Sequence, residues 1–163
     1  MGYRVVDRLL KDTPLHPIKG IPATAANVSD MLLVRSTTYM NDSGRAIAPL
    51  ADAFAIDLDH IIVIHDELDL PLGTVRIKRG GNENGHNGLK SATAELGSRD
   101  YIRVRVGISR PPQGTPVVDY VLSALPEGPD TDDALARAAQ AVTLIPPANI
   151  LLVRLSPMSS FRW

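Results

Sequence analysis

Ile61-Ile62-Val63-Ile64-His65-Asp66-Glu67-Leu68-Asp69 is the stretch that decides the architecture. Four β-branched residues in succession, with no polar alternation, read as a strand covered on both faces. Such a strand needs a layer of helices on each side, and helical spacing is present around it. Val5, Val6, Leu9 and Leu10 predict a short amphipathic helix ending near Pro14, and Ile47, Leu50, Ala51 and Phe54 fall at i, i+3, i+4 and i+7 behind Ser43, a candidate N-cap. Leu89, Ala92 and Leu96 form a third helical face, and Leu135, Ala138, Ala139 and Val142 a fourth, from about Thr131. Met31-Leu32-Leu33-Val34 is a second apolar strand. Val75 and Ile77 alternate with Arg76 and Lys78, and Ile102, Val104 and Val106 alternate with Arg103 and Arg105, which predicts two strands with one apolar and one basic face. The expected fold is α/β: a single three-layer domain with a twisted mixed sheet flanked by helices.

The 163 residues fit one domain, with 44% hydrophobic and 21% charged side chains, so wholesale disorder is excluded. There is no cysteine, hence no disulfide framework and no thiolate metal site. The formal charge of −1 leaves any nucleic-acid partner to local patches, and seven aromatics among 163 residues argue against a base-stacking platform. No signal segment or bilayer-length apolar run is evident, and a cytoplasmic monomer is expected.

Polar clusters stand at the ends of elements. Tyr39-Met40-Asn41 follows a strand. His65-Asp66-Glu67-Leu68-Asp69 lies at the carboxyl end of the best buried strand, where open α/β sheets bind ligands. Gly85-His86-Asn87-Gly88 opens a helix whose free amides favour an anion. Each has a plainer reading. Asn41 suits a turn, Asn87 suits an N-cap, the acids suit a solvated turn or a divalent cation, and the basic strand faces suit protected edges. The acidic spacing matches no calcium loop.

In order and spacing, these clusters resemble the bacterial peptidyl-tRNA hydrolase family. The resemblance is carried by Thr38-Tyr39-Met40-Asn41-Asp42-Ser43-Gly44, His65 through Gly73, Gly80-Gly81, Gly85-His86-Asn87-Gly88-Leu89-Lys90-Ser91, and Asp100 through Ile108 with Arg110-Pro111. It implies cleavage of the ester between a peptide and the terminal ribose of tRNA, with no cofactor, no metal and no protein partner. By that resemblance Tyr39, Asn41 and Asn87 bind substrate, and Asp66 orients and stabilises the basic form of a histidine. Arg76, Lys78, Lys90, Arg103, Arg105 and Arg110 are candidate phosphate contacts, inferred from strand alternation.

The chain also departs from that pattern. The family begins with a strand, an Asn-Pro-Gly loop and an Arg-His-Asn element carrying the general base, whereas Gly2-Tyr3-Arg4-Val5-Val6-Asp7 already resembles the helix that follows. The expectation is a domain over 1–145 without that strand or histidine, followed by a divergent tail over 146–163. The strand at Ile61–Ile64 is expected to lack one neighbour and the catalytic activity to be impaired. Two other readings compete: a tRNA-binding module without catalysis, and a metal-dependent hydrolase using Asp66, Glu67 and Asp69.

Overall fold

The computed structural model describes residues 2–28, 31–38, 42–83, 85–115, 129–144 and 150–154. In chain order the elements are α1 (Gly2–Leu10), β1 (His16–Ile18), β2 (Ile21–Val28), β3 (Met31–Ser36), α2 (Gly44–Ala53), β4 (Ile61–Glu67), β5 (Val75–Arg79), α3 (Asn87–Leu96), β6 (Ile102–Gly107), α4 (Pro129–Leu144) and β7 (Ile150–Arg154). A 3-10 turn at Leu58–His60 leads into β4.

The seven strands among the described residues lie in one sheet, ordered β1-β2-β3-β7-β4-β6-β5. The four central strands, β3, β7, β4 and β6, run parallel, while β1, β2 and β5 add antiparallel edges. One apolar cluster joins Ile47 and Leu50 of α2 and Leu89 and Ala92 of α3 to Leu32, Val34, Ile61 and Val63. The other joins Val6 and Leu10 of α1 and Leu135, Ala138 and Val142 of α4 to Leu33, Ile62, Ile64, Val104 and Val106. The two clusters divide successive residues of β4 between them, as a period of two requires. The mixed three-layer α/β domain is therefore as expected.

Several local expectations change. β4 does not lack a neighbour: β7 lies between β3 and β4, with Leu32 in register with Leu151 and Ile62 with Leu152. Ile150–Arg154 thus belongs to the sheet, and the boundary expected near residue 145 does not separate it from the domain. β1 and β2 carry no strong strand signal, because Ile21–Val28 is rich in alanine and contains Pro22. Ile77 does not face a core but is half exposed, since β5 is an edge strand. β6 is covered on both faces, so its arginines do not form a solvated basic face.

The N-terminal end of α2 packs closely against the middle of α3. A β-carbon on Gly44 would collide with the Ser91 carbonyl, and the Gly44 amide donates to Ser91 Oγ at 2.8 Å. Ser43 occupies the N-cap position with helical backbone angles, and its side chain does not cap. α3 ends on Gly97 at φ 73°, a left-handed conformation that glycine adopts without strain.

Candidate active site

The parallel strands end along one edge of the sheet, and there β4 carries His65, Asp66 and Glu67, all buried. Alternation sends His65 and Glu67 to the α2/α3 face and Asp66 to the face covered by α1 and α4. Asp66 stands in register with Val106 of β6.

His65 meets His86 edge to face, with ring centroids 5.0 Å apart. His65 Nδ1 donates to the Asp66 carbonyl at 2.9 Å, which leaves Nε2 as the unprotonated nitrogen, buried without a hydrogen-bond partner among the described residues. His86 has the opposite arrangement. Its Nδ1 accepts from the Leu89 amide at 3.2 Å, so its proton is on Nε2. His86 is therefore the N-cap of α3, and Asn87, read from sequence as a cap, is the first helical residue. Burial holds the His65 imidazole below its ordinary value of 6.5, outweighing the opposing Asp66 hydrogen bond and the charges of Glu67 and Asp66. Burial again, then the neighbouring His65, holds His86 well below 6.5. Both rings are neutral at physiological pH.

The remaining acids are engaged by arginines. Glu67 pairs with Arg105 at 3.5 Å and accepts from the Asp69 amide at 3.2 Å. Asp69 receives Arg110 through Nε at 2.8 Å and Nη2 at 2.5 Å. Among the described residues no group of three His, Cys, Asp or Glu converges as a metal site would require.

The basic residues separate into three groups. Arg76 and Lys78 on β5 and Lys90 on α3 are exposed. Arg105 and Arg110 reach the surface region already paired with acids. Arg103 is a correction to the sequence reading. It is 2% exposed, and its guanidinium donates to the carbonyls of Asn82 at 2.8 Å and Gly81 at 3.0 Å, so it is withdrawn from any phosphate. Alternation placed Arg103 opposite Val104, but in a three-layer domain that opposite face is another interior. Tyr39 and Asn41 lie outside the described residues, between Thr38 and Asp42 at the carboxyl end of β3. The structure thus brings the segments carrying Asp66 and Asn87 together through the His65–His86 contact.

A family model described as Peptidyl-tRNA hydrolase matches residues 1–151. The chain belongs to the peptidyl-tRNA hydrolase family. It is 54% identical over 150 residues to Peptidyl-tRNA hydrolase 2 of Corynebacterium glutamicum, covering 89% of this chain and 72% of that one. Identity to the peptidyl-tRNA hydrolase of Limosilactobacillus reuteri is 43% over 149 residues, 86% of this chain and 80% of that one. The crystal structure of peptidyl-tRNA hydrolase from Acinetobacter baumannii superimposes with a TM-score of 0.74 at 28% identity, covering 88% of this chain and 76% of that chain. This membership agrees with the resemblance read from the motifs and makes the chain a member of a family of ester hydrolases. The edge-to-face contact of His65 and His86 is a feature of this end of the sheet that sequence reasoning missed. A histidine just ahead of a helix, three residues before Leu89, was the available signal.

Proposed function

We propose that this protein acts on peptidyl-tRNA in the cytoplasm as a monomer, hydrolysing the ester that joins the peptide to the terminal ribose. In the reaction a water oxygen adds to the ester carbonyl, the carbonyl oxygen gains charge, and the ribose oxygen leaves with a proton. Asn87, half-buried at the first turn of α3, is suited to donate to that oxygen or to hold the water, because an amide both donates and accepts. Asp66, buried at the end of β4, is suited to orient an imidazole and to stabilise it once protonated. Tyr39 and Asn41 complete the substrate-binding set, and Arg76, Lys78, Lys90, Arg105 and Arg110 are the phosphate contacts. The observation that supports this reading is the His65–His86 contact, which brings the segment carrying Asn87 to the end of β4 that also carries Asp66.

The 163-residue chain itself is proposed to be slow. Of its four histidines, His16 is exposed on the edge strand β1 and His60 precedes β4. His65 and His86 are buried in mutual contact, with His86 Nδ1 already accepting a hydrogen bond. We infer that none of the four takes a proton from water beside Asp66. The same burial favours a second reading, a tRNA-binding protein without turnover.

Single-turnover hydrolysis of an N-acetylated aminoacyl-tRNA decides between them. The expected rate lies about two to four orders of magnitude below that of the Corynebacterium glutamicum relative, the range lost with a general base. Free imidazole in the buffer should raise it, and Asp66→Asn should abolish that rescue. Binding with no hydrolysis under any condition would favour the second reading, and rates within tenfold of the relative would overturn the proposed impairment.

A further inference from the structure

Arg103 is a buried cation whose guanidinium donates to three main-chain carbonyls. Nη1 donates to Asn82 O, and Nη2 to Gly81 O and, at 3.5 Å, to Arg99 O. Burying a guanidinium is unfavourable unless its donors are matched, and an apolar side chain of similar volume would fill this position with less penalty. Nε has no hydrogen-bond partner among the described residues, but the match at the other two nitrogens is specific, because two consecutive carbonyls turn toward one planar fork. Gly80 at φ 66° and Gly81 at φ 93° allow the backbone to make that turn. On its other side the guanidinium lies 4.9 Å from the ring centroid of Tyr101. The Tyr101 hydroxyl donates to Leu89 O at 3.3 Å and lies 3.1 Å from Thr93 Oγ1, both on α3.

Arg103 therefore grips the loop at 81–82 and, through Tyr101, the helix that the loop enters. Between those two holds lie Glu83, whose carbonyl accepts from the His86 amide at 2.9 Å, then the His86 cap, then Asn87. We infer that Arg103 is a positioning residue for Asn87, fixing the loop at 81–83 and the first turn of α3 rather than touching RNA. This rests on the reading above that Asn87 faces the substrate. A lysine would replace it poorly: its ammonium has three donors, but on one atom, and does not present the two in-plane donors on separate nitrogens that the guanidinium gives these carbonyls.

The test compares the chain with Arg103→Met, Asn87→Ala and the double variant, using an N-acetylated aminoacyl-tRNA and the same tRNA deacylated. Hydrogen exchange of the Asn87, Gly88 and Leu89 amides is followed alongside. Arg103→Met should speed exchange at those amides and reduce the preference for acylated over deacylated tRNA by about tenfold, the size of one lost hydrogen bond. Affinity for deacylated tRNA should stay within about twofold, because exposed cations carry it. The double variant should lose no more preference than either single one, since both act on one interaction. A role confined to general stability would give additive losses and would overturn the inference, as would unchanged exchange. If Arg103→Met does not fold, Arg103→Lys is the substitute, with the same tenfold loss expected, and a lysine variant indistinguishable from the parent would overturn the inference. If the parent shows no preference for acylated tRNA, the proposed function fails, and the clamp is decided by the exchange rates alone.

Discussion

His65 and His86 lie edge to face at 5.0 Å, and their Nδ1 atoms play opposite roles, one donating to the Asp66 carbonyl and the other accepting from the Leu89 amide. Each ring is neutral because its surroundings exclude water, and adding a proton to either would place a charge against its neighbour and near Arg103.

Acid should therefore destabilise this protein through a defined pair. Both folded values are depressed below 6.5, so the unfolded chain takes up protons first as pH falls. The contribution is fully present above pH 6.5 and is lost as pH falls through the depressed folded values. Thermal midpoints measured from pH 8 to pH 5 should drop below about 6.5. They should drop less in His86→Asn, which keeps an acceptor for the Leu89 amide and cannot titrate. Parallel pH profiles for the two proteins would disprove the assignment.

Gly44 should not tolerate a methyl group. Because a β-carbon there meets the Ser91 carbonyl, Gly44→Ala must push α2 from α3, and overpacking of this kind costs about 1–3 kcal/mol. Urea unfolding reads the loss as a lower midpoint at constant slope. An alanine variant as stable as the parent would mean that the helices can separate freely.

The exposed and the buried cations should differ in how salt affects RNA binding. Arg76→Gln and Lys90→Gln should each reduce the slope of log K against log salt by about 1. Arg110→Gln should do less, since Arg110 is already paired with Asp69. Arg103→Met should leave the slope unchanged. Filter binding of deacylated tRNA over a salt series separates the four, and a slope change for Arg103 as large as for Arg76 would place it at the interface after all.

Magnesium should not bind the acids at the end of β4. With Glu67 held by Arg105 and Asp69 by Arg110, a divalent ion would have to displace two guanidinium groups. The thermal midpoint of the protein alone should be the same in excess Mg²⁺ and in chelator. A midpoint that rises with Mg²⁺ would revive the metal-dependent reading.

Much of this was legible in the sequence, and the gaps have physical causes. β3, β4 and β6 announced themselves as apolar, β-branched or alternating runs, and α1 to α4 by helical spacing, because burial imposes those patterns directly. β1 and β2 did not, since Ala23, Ala25 and Ala26 serve strand and helix alike. Ile150-Leu151-Leu152-Val153 was visible as an apolar run, but its place between β3 and β4 is a tertiary choice with no local signal. At the proposed site, Asp66 and Asn87 drew attention because they stand at the ends of elements, while Arg103 was misassigned because alternation identifies a face and not what covers it. The His65–His86 contact joins residues from different elements and could not be read from spacing.

The placement of β7 also sets the tempo of folding. Met31 pairs with Ile150 and Ile61 with Leu151, so both seams at the middle of the sheet join segments far apart in the chain. On one flank β1, β2 and β3 pair within hairpin distance. Local pairs of that kind form early, whereas a central seam must first meet the entropy of closing a long loop. Refolding should thus show a fast gain of strand signal in the flank, then a slower step as the last strand docks and joins the two halves.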